Sequence, residues 1–169
     1  PFTTAATFPN ASSAQLSIEF GIRGPSDTIS SGCASSSTAI GMGLELIKAG
    51  KVDVMLVGGS ECLLYQPIFG AYCAARIMSR INDTPVTTPR PFDKLRDGTV
   101  LGEGAAILIL EEFQHASDRN AHIYAELIGW GSSCGSNGVM DPGADSTGLV
   151  SAIRIALTDA DISPKDVSY

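Results

Sequence analysis

Residues 27–57 read DTISSGCASSSTAIGMGLELIKAGKVDVMLV, and their patterning decides the fold class. After a turn at Gly24-Pro25, Asp27–Ser31 reads as a short strand. Cys33–Ala49 follows as a helix whose C-terminal half is apolar on most faces, hence buried, with Gly50 as its stop. Val52–Val57 is almost continuously apolar, as expected of a parallel-sheet strand covered on both faces, and Gly58-Gly59 is expected to end it. Strand–helix–strand order is the unit of an α/β fold. Gly41 and Gly43 cost the helix about 1 kcal/mol each. That cost predicts another backbone or helix packed closely against them.

Working outward, residues 1–9 read as loop, and Asn10 is placed to cap a helix running to Phe20 with Gly21 as its stop. Downstream, residues 65–78 are expected to form a second buried helix. Asn82–Gly104 carries Pro85, Pro89 and Pro91 and is expected to be a long irregular loop, a kind that is uncommon without a function. Ala105–Leu110 reads as a buried strand, Glu111–Arg119 as a polar helix and His122–Trp130 as a strand. A Gly/Ser-rich loop spans 131–143. Asp145–Ala160 is an amphipathic helix with Leu149, Ile153, Ala156, Leu157 and Ala160 on its apolar face. The sequence holds no close internal repeat and no linker-like break.

Composition narrows the function classes. The 169 residues are 44% hydrophobic and 17% charged, within the globular range. Eleven basic against eighteen acidic side chains give −7, which argues against nucleic acid as a partner. The longest apolar run, Ala105–Leu110, is far short of the roughly 20 residues of a membrane span, so no membrane partner is expected. The chain starts at Pro1 with no leader-like segment and stops at Tyr169 within an apolar stretch, so it is expected to be a fragment. Cys33, Cys62, Cys73 and Cys134 show no C-x-x-C spacing, which favours a reducing, cytoplasmic setting over a disulfide framework or metal site. Cys62, Cys73 and Cys134 read as packing thiols, and His115 and His122 as solvent-facing.

Cys33 is the residue that could do chemistry. It lies where a strand ends and a helix begins, beside unpaired helical N–H groups whose partial positive charge favours a thiolate. Gly32 permits a sharp turn and close approach of a substrate. Strand–turn–helix is an arrangement that presents a nucleophile for covalent acyl transfer. On position alone the thiol reads equally as a nucleophile or as a buried core cysteine. Ser30, Ser31, Ser35, Ser36 and Ser37 around it read as helix-capping and small packing residues. Asp93, Arg96, Asp97 and Glu103 form the densest charge group and read as buttresses of the long loop.

The stretch GPSDTISSGCASSS (24–37) resembles the active-site segment of the beta-ketoacyl synthases. AGKVDVMLVGGSE (49–61), AARIMS (74–79), RPFDKLRDGTVLGEGAAILILEE (90–112) and HIYAELIGWG (122–131) follow in that family's order and spacing. The resemblance is strongest to the carrier-protein-dependent condensing enzymes of type II fatty acid synthesis, with polyketide ketosynthases similar. It implies a partial thiolase-like α/β fold: the end of the N-terminal half and the start of the C-terminal half of a five-layered architecture. On that reading residues 1–104 belong to the first half and 105–169 to the second. Cys33 matches the nucleophile that takes an acyl group from acyl carrier protein. A malonyl thioester then loses carbon dioxide, and its carbanion attacks the acyl-cysteine to give a 3-oxoacyl product, with the Cys33 N–H in the oxyanion hole. Phe69, Tyr72 and Thr99 match the acyl channel, and Arg76 a carrier-protein contact. Asp27–Ser31 matches a strand that pairs with its copy in a homodimer. No cofactor and no metal are implied.

Two catalytic histidines and a lysine belong to motifs that 1–169 does not contain, so this stretch alone is expected not to condense anything. Gly32 replaces the family's usual alanine, Thr99 stands where an aromatic is common, and Gly135 lies near a usual aspartate. Two alternatives are a non-catalytic chain-length partner subunit, which would characteristically lack the nucleophile, and a thiolase or coenzyme A-dependent relative, against which GEGA and AARIMS argue.

Overall fold

The fold was taken from a computed structural model, which describes residues 7–136, 138 and 145–169. The chain divides into two compact units, residues 1–58 with 107–169, and residues 59–106. The proposed loop at 1–9 and the glycine-rich loop at 131–143 lie partly outside the described residues.

In the first unit, α1 spans Ala11–Phe20 and α2 spans Ser35–Lys48. Both end where the sequence places a glycine. Gly21 and Gly50 take left-handed φ of 63° and 64°. Behind them the Ile22 N–H reaches the Ser17 carbonyl and the Lys51 N–H the Leu46 carbonyl, so free carbonyls of the last turn are satisfied. The start of α1 is as expected, but the Asn10 side chain makes no cap bond. Its carbonyl accepts instead from the Ser13 hydroxyl.

Strand β1 runs Val54–Cys62 and β2 runs Glu103–Glu111; they form a two-stranded sheet. The Glu112 N–H donates to the Asp53 carbonyl at 2.9 Å, and Glu103 meets Cys62 at the opposite end. The strands are therefore antiparallel, whereas 52–57 was expected to lie in a parallel sheet. Gly58-Gly59 does not end β1, which continues to Cys62 with Gly58 at φ 155°. Glycine takes that angle freely, so the strand is weakened there and not broken. The long irregular loop is as expected apart from a 3₁₀ turn at Pro85–Thr87 and the bridge of Thr99 to Met78, and it ends at Gly102 rather than Gly104.

Two expected strands are absent. Residues 27–30 and 122–130 have no regular structure, and Ser31 forms only an isolated bridge with Cys33. A strand exists only through its ladder, and no described segment pairs with either stretch. The remaining helices are α3 (Gln66–Ala74), α4 (Phe113–Asp118) and α5 (Thr147–Asp159).

The close approach expected at Gly41 and Gly43 is present, but side chains make it, not a second helix. A Cβ on Gly41 would collide with the Trp130 indole. One on Gly43 would sit 2.5 Å from Val57 and 3.3 Å from Leu110, so α2 lies directly on the sheet. Buried apolar residues here are Leu44, Val57 and Ala116. Burial was overestimated elsewhere. No residue of α3 is buried, β2 is exposed from Glu103 to Ile109, and Ile109 itself is 66% exposed. On α5, Leu149 and Ile153 face solvent, while Ala152, Ala156 and Ala160 pack against Gly129 and Gly131. Small residues allow that backbone approach, so only Ala156, Leu157 and Ala160 of the predicted face are half-buried, and no residue of α5 is fully buried.

Candidate active site

Cys33 occupies the corner of a four-residue turn. The Ser35 N–H donates to the Gly32 carbonyl at 3.1 Å, making 32–35 a turn with Cys33 at its second position. Ala34, at φ −89° and ψ 0°, has the values of the third position of a type I turn. Gly32 enters it at φ +63°, where a side chain would be strained. Helix α2 begins at Ser35, two residues beyond Cys33, so the thiol stands ahead of the first helical turn rather than in it. Cys33 is exposed and free, not a core cysteine.

Three hydroxyls surround this turn. The Ser35 hydroxyl donates to the Gly32 carbonyl at 2.7 Å and accepts from the Ser31 N–H at 2.9 Å. Thr38 Oγ1 donates to the Ala34 carbonyl at 3.0 Å and meets Ser31 Oγ at 3.2 Å. Further along, α2 is braced from one side. Trp130 donates from Nε1 to Glu45 at 3.2 Å and from its backbone N–H to Asp159 at 3.0 Å. Asp159 also pairs with Lys48 at 2.9 Å, and these bonds hold its carboxyl below the usual range. The sequence reading missed this brace, although the lone Trp followed by glycine was a signal for it.

In the unit of residues 59–106, Phe69 and Tyr72 lie three residues apart on α3, a spacing that puts them on one face. Tyr72 is half-buried and Phe69 exposed. Arg76 follows α3 at φ 59°, exposed. Thr99 is exposed and bridges to Met78: its N–H donates to the Ile77 carbonyl and its carbonyl accepts from the Ser79 N–H, both at 2.9 Å. Thr99 is thus joined to the segment that leaves α3, within reach of the chain around Arg76. Asp97 reinforces the junction by accepting from the Ser79 hydroxyl and the Arg80 N–H, which lowers its pKa. Asp93 similarly accepts from the Leu95 N–H, so this charge group does buttress the loop.

The other cysteines are exposed, which corrects their reading as packing thiols. Cys62 donates to Glu103 at 3.0 Å, and that carboxylate pushes its thiol pKa up. Cys134 is shifted down by the Ser136 N–H and hydroxyl. His115 and His122 are exposed, as expected. His115 Nδ1 lies 2.5 Å from Glu111, which Arg119 also grips, and the two hold the Glu111 carboxyl at about 2. Among the described residues no group of three or more His, Cys, Asp or Glu side chains is placed to hold a metal ion, and no helix is long and apolar enough to cross a membrane.

A reactive-residue turn ahead of a sheet-packed helix is one feature of a covalent acyl-transfer site, and comparison with known proteins gives it a family. The sequence profile for the beta-ketoacyl synthase N-terminal domain matches residues 1–116. The chain belongs to the beta-ketoacyl synthase family. It is 40% identical, over all 169 residues, to chloroplastic 3-oxoacyl-[acyl-carrier-protein] synthase I of Arabidopsis thaliana, covering 36% of that protein. A beta-ketoacyl synthase from Burkholderia phymatum matches 96% of the chain at 39% identity and TM-score 0.89, with 39% of that structure covered. A type II polyketide acyl-carrier protein complex with its ketosynthase matches 95% of the chain at 36% identity and the same TM-score, with 40% covered. The fold is accordingly a partial thiolase-like α/β fold. The chain spans about two fifths of the length of these relatives.

Proposed function

We propose that the chain supplies the acyl-accepting part of a 3-oxoacyl-[acyl-carrier-protein] synthase, an acyltransferase, acting within a polypeptide of the relatives' full length. The Cys33 thiolate attacks the acyl-carrier thioester, forms acyl-Cys33 and releases the carrier thiol. A malonyl-carrier thioester loses carbon dioxide, and its carbanion attacks the acyl carbonyl. The C–S bond to Cys33 breaks, the thiolate returns, and a 3-oxoacyl-carrier product two carbons longer leaves. Dividing one difficult step into two is the gain of covalent catalysis. Groups outside these 169 residues assist the decarboxylation; His115, committed to Glu111, and His122 do not.

The observation that carries this reading is the exposed Cys33 at the corner of the 32–35 turn, directly before α2. A chain-length partner subunit would need no thiol in that position. Within the same reading, Phe69, Tyr72 and Thr99 line the acyl channel and Arg76 meets the acidic carrier. Residues 27–31, exposed along most of their length and without a ladder, pair with a second copy. The chain divides at 104/105 between two related halves, and the enzyme works in the cytoplasm on fatty acid or polyketide precursors. The test is elongation of an acyl-carrier substrate with isotopically labelled malonyl-carrier by the full-length synthase. Wild type forms labelled 3-oxoacyl product and Cys33→Ala forms none; elongation by Cys33→Ala at the wild-type rate overturns the proposal.

A further inference from the structure

We propose that Ser35 is a positioning residue that fixes the turn presenting Cys33, an inference that rests on the reading of Cys33 as the acyl acceptor. A serine at a helix start is ordinarily a cap, whose oxygen accepts from free N–H groups further along the helix. Ser35 does something else. The N-cap of α2 is Ala34, and no side chain caps the helix. The Ser35 hydroxyl points back along the chain, donating to the Gly32 carbonyl and accepting from the Ser31 N–H.

These two bonds, with the Ser35 N–H to the same Gly32 carbonyl, close a ring of backbone around residue 33. Cys33 is exposed, and no described residue hydrogen-bonds its sulfur. Its aim is therefore set by the backbone of the turn, and Gly32, in the left-handed region, is the least restrained part of that backbone. The carbonyl that Ser35 holds belongs to this glycine. Thr38 acts one turn further on, linking Ser31 Oγ to the Ala34 carbonyl, but it touches neither Gly32 nor the N–H of Ser31. Among the described residues, the Ser35 hydroxyl is the one side-chain group that bonds both the N–H of the residue before the glycine and the carbonyl of the glycine itself. Nucleophilic attack depends steeply on such placement.

The requirement is for one hydroxyl, used as both donor and acceptor, so threonine meets it and its isostere valine does not. In the full-length synthase, single-turnover transfer from an acyl-carrier thioester is followed by mass spectrometry of the Cys33 peptide. Ser35→Val is expected to slow acyl-Cys33 formation about tenfold, the scale set by two modest hydrogen bonds. The carrier concentration at half-saturation stays near wild type, and Ser35→Thr stays within about twofold of the wild-type rate. Should Ser35→Val fail to fold, Ser35→Ala replaces it in the comparison with Ser35→Thr. Acylation by the hydroxyl-free variant at the wild-type rate overturns the proposal, as does an equal loss in Ser35→Thr. A wild-type Cys33 that accepts no acyl group instead overturns the functional reading beneath it.

Discussion

Gly41→Ala inserts one methyl group where α2 meets Trp130, and the geometry predicts that it destabilises the full-length protein despite alanine's advantage as a helix former. The advantage is about 1 kcal/mol. Against it, the new Cβ would overlap three atoms of the indole ring, so the whole ring must move. Overpacking of this kind costs about 1–3 kcal/mol. Moving the ring also disturbs the Nε1 bond to Glu45, a further loss of about 0.5–1.5 kcal/mol. The sum favours a net destabilisation of about 2 kcal/mol. Gly70→Ala is the control, because Gly70 lies inside α3 with open space at its Cβ, and it should gain about 1 kcal/mol. Urea unfolding of both variants measures the difference. In the background of Trp130→Ala, Gly41→Ala should no longer be harmful, since the atoms it collides with are gone. A Gly41→Ala protein as stable as wild type, or a penalty that persists without the indole, refutes the reasoning.

Further consequences concern charge, strain and exposed surface. The folded pKa of Glu111, about 2, lies below the ordinary value of 4.5, so its ion pairs stabilise above pH 4.5 and that contribution is lost as pH falls toward 2; Glu111→Gln should flatten unfolding midpoints across that window. Glu103 accepts the Cys62 S–H, which raises the thiol pKa, so Glu103→Gln should speed iodoacetamide alkylation of Cys62 severalfold at neutral pH, read by peptide mass spectrometry. Arg76 holds a left-handed φ of 59° that costs a non-glycine residue about 1 kcal/mol, so Arg76→Gly should keep or raise the melting midpoint while weakening carrier-protein binding in titration calorimetry. The isolated 169-residue chain exposes Ile107, Leu108 and Ile109 together on β2 and should sediment as aggregate; a monomeric boundary in analytical ultracentrifugation would count against this.

What could be read from the sequence follows how local each signal is. The ends of α1 and α2 were legible because Gly21 and Gly50 act within one turn of the chain. Strands depend on partners distant in sequence, so 27–31 and 122–130 were read as strands from composition, yet form no ladder in this chain. Antiparallel pairing of β1 and β2 was not legible either, because a helix and a long loop lie between them, and a connection of that length allows either direction. Burial failed for a related reason: Ile107–Ile109 are as apolar as core residues, and no described layer covers them. At the site, Cys33 was found from its place before a helix, together with the surrounding motifs. The serines around it fit caps or small packing residues equally well in the sequence, because the direction of a hydroxyl is not written in composition. Phe69 and Tyr72 share a helix in the sequence pattern, but nothing local joins Thr99 to them; its bridge to Met78 is what ties it to the chain leaving α3.

On the proposed function Cys33 holds the growing acyl chain. The most direct measurement is to incubate the full-length synthase with acyl-carrier protein in the absence of malonyl thioester, quench in acid and map the added mass by peptide sequencing in a mass spectrometer. One acyl group is expected, on Cys33, removable by hydroxylamine. An acyl group on Cys62, Cys73 or Cys134 instead, or none on any cysteine, would contradict that function.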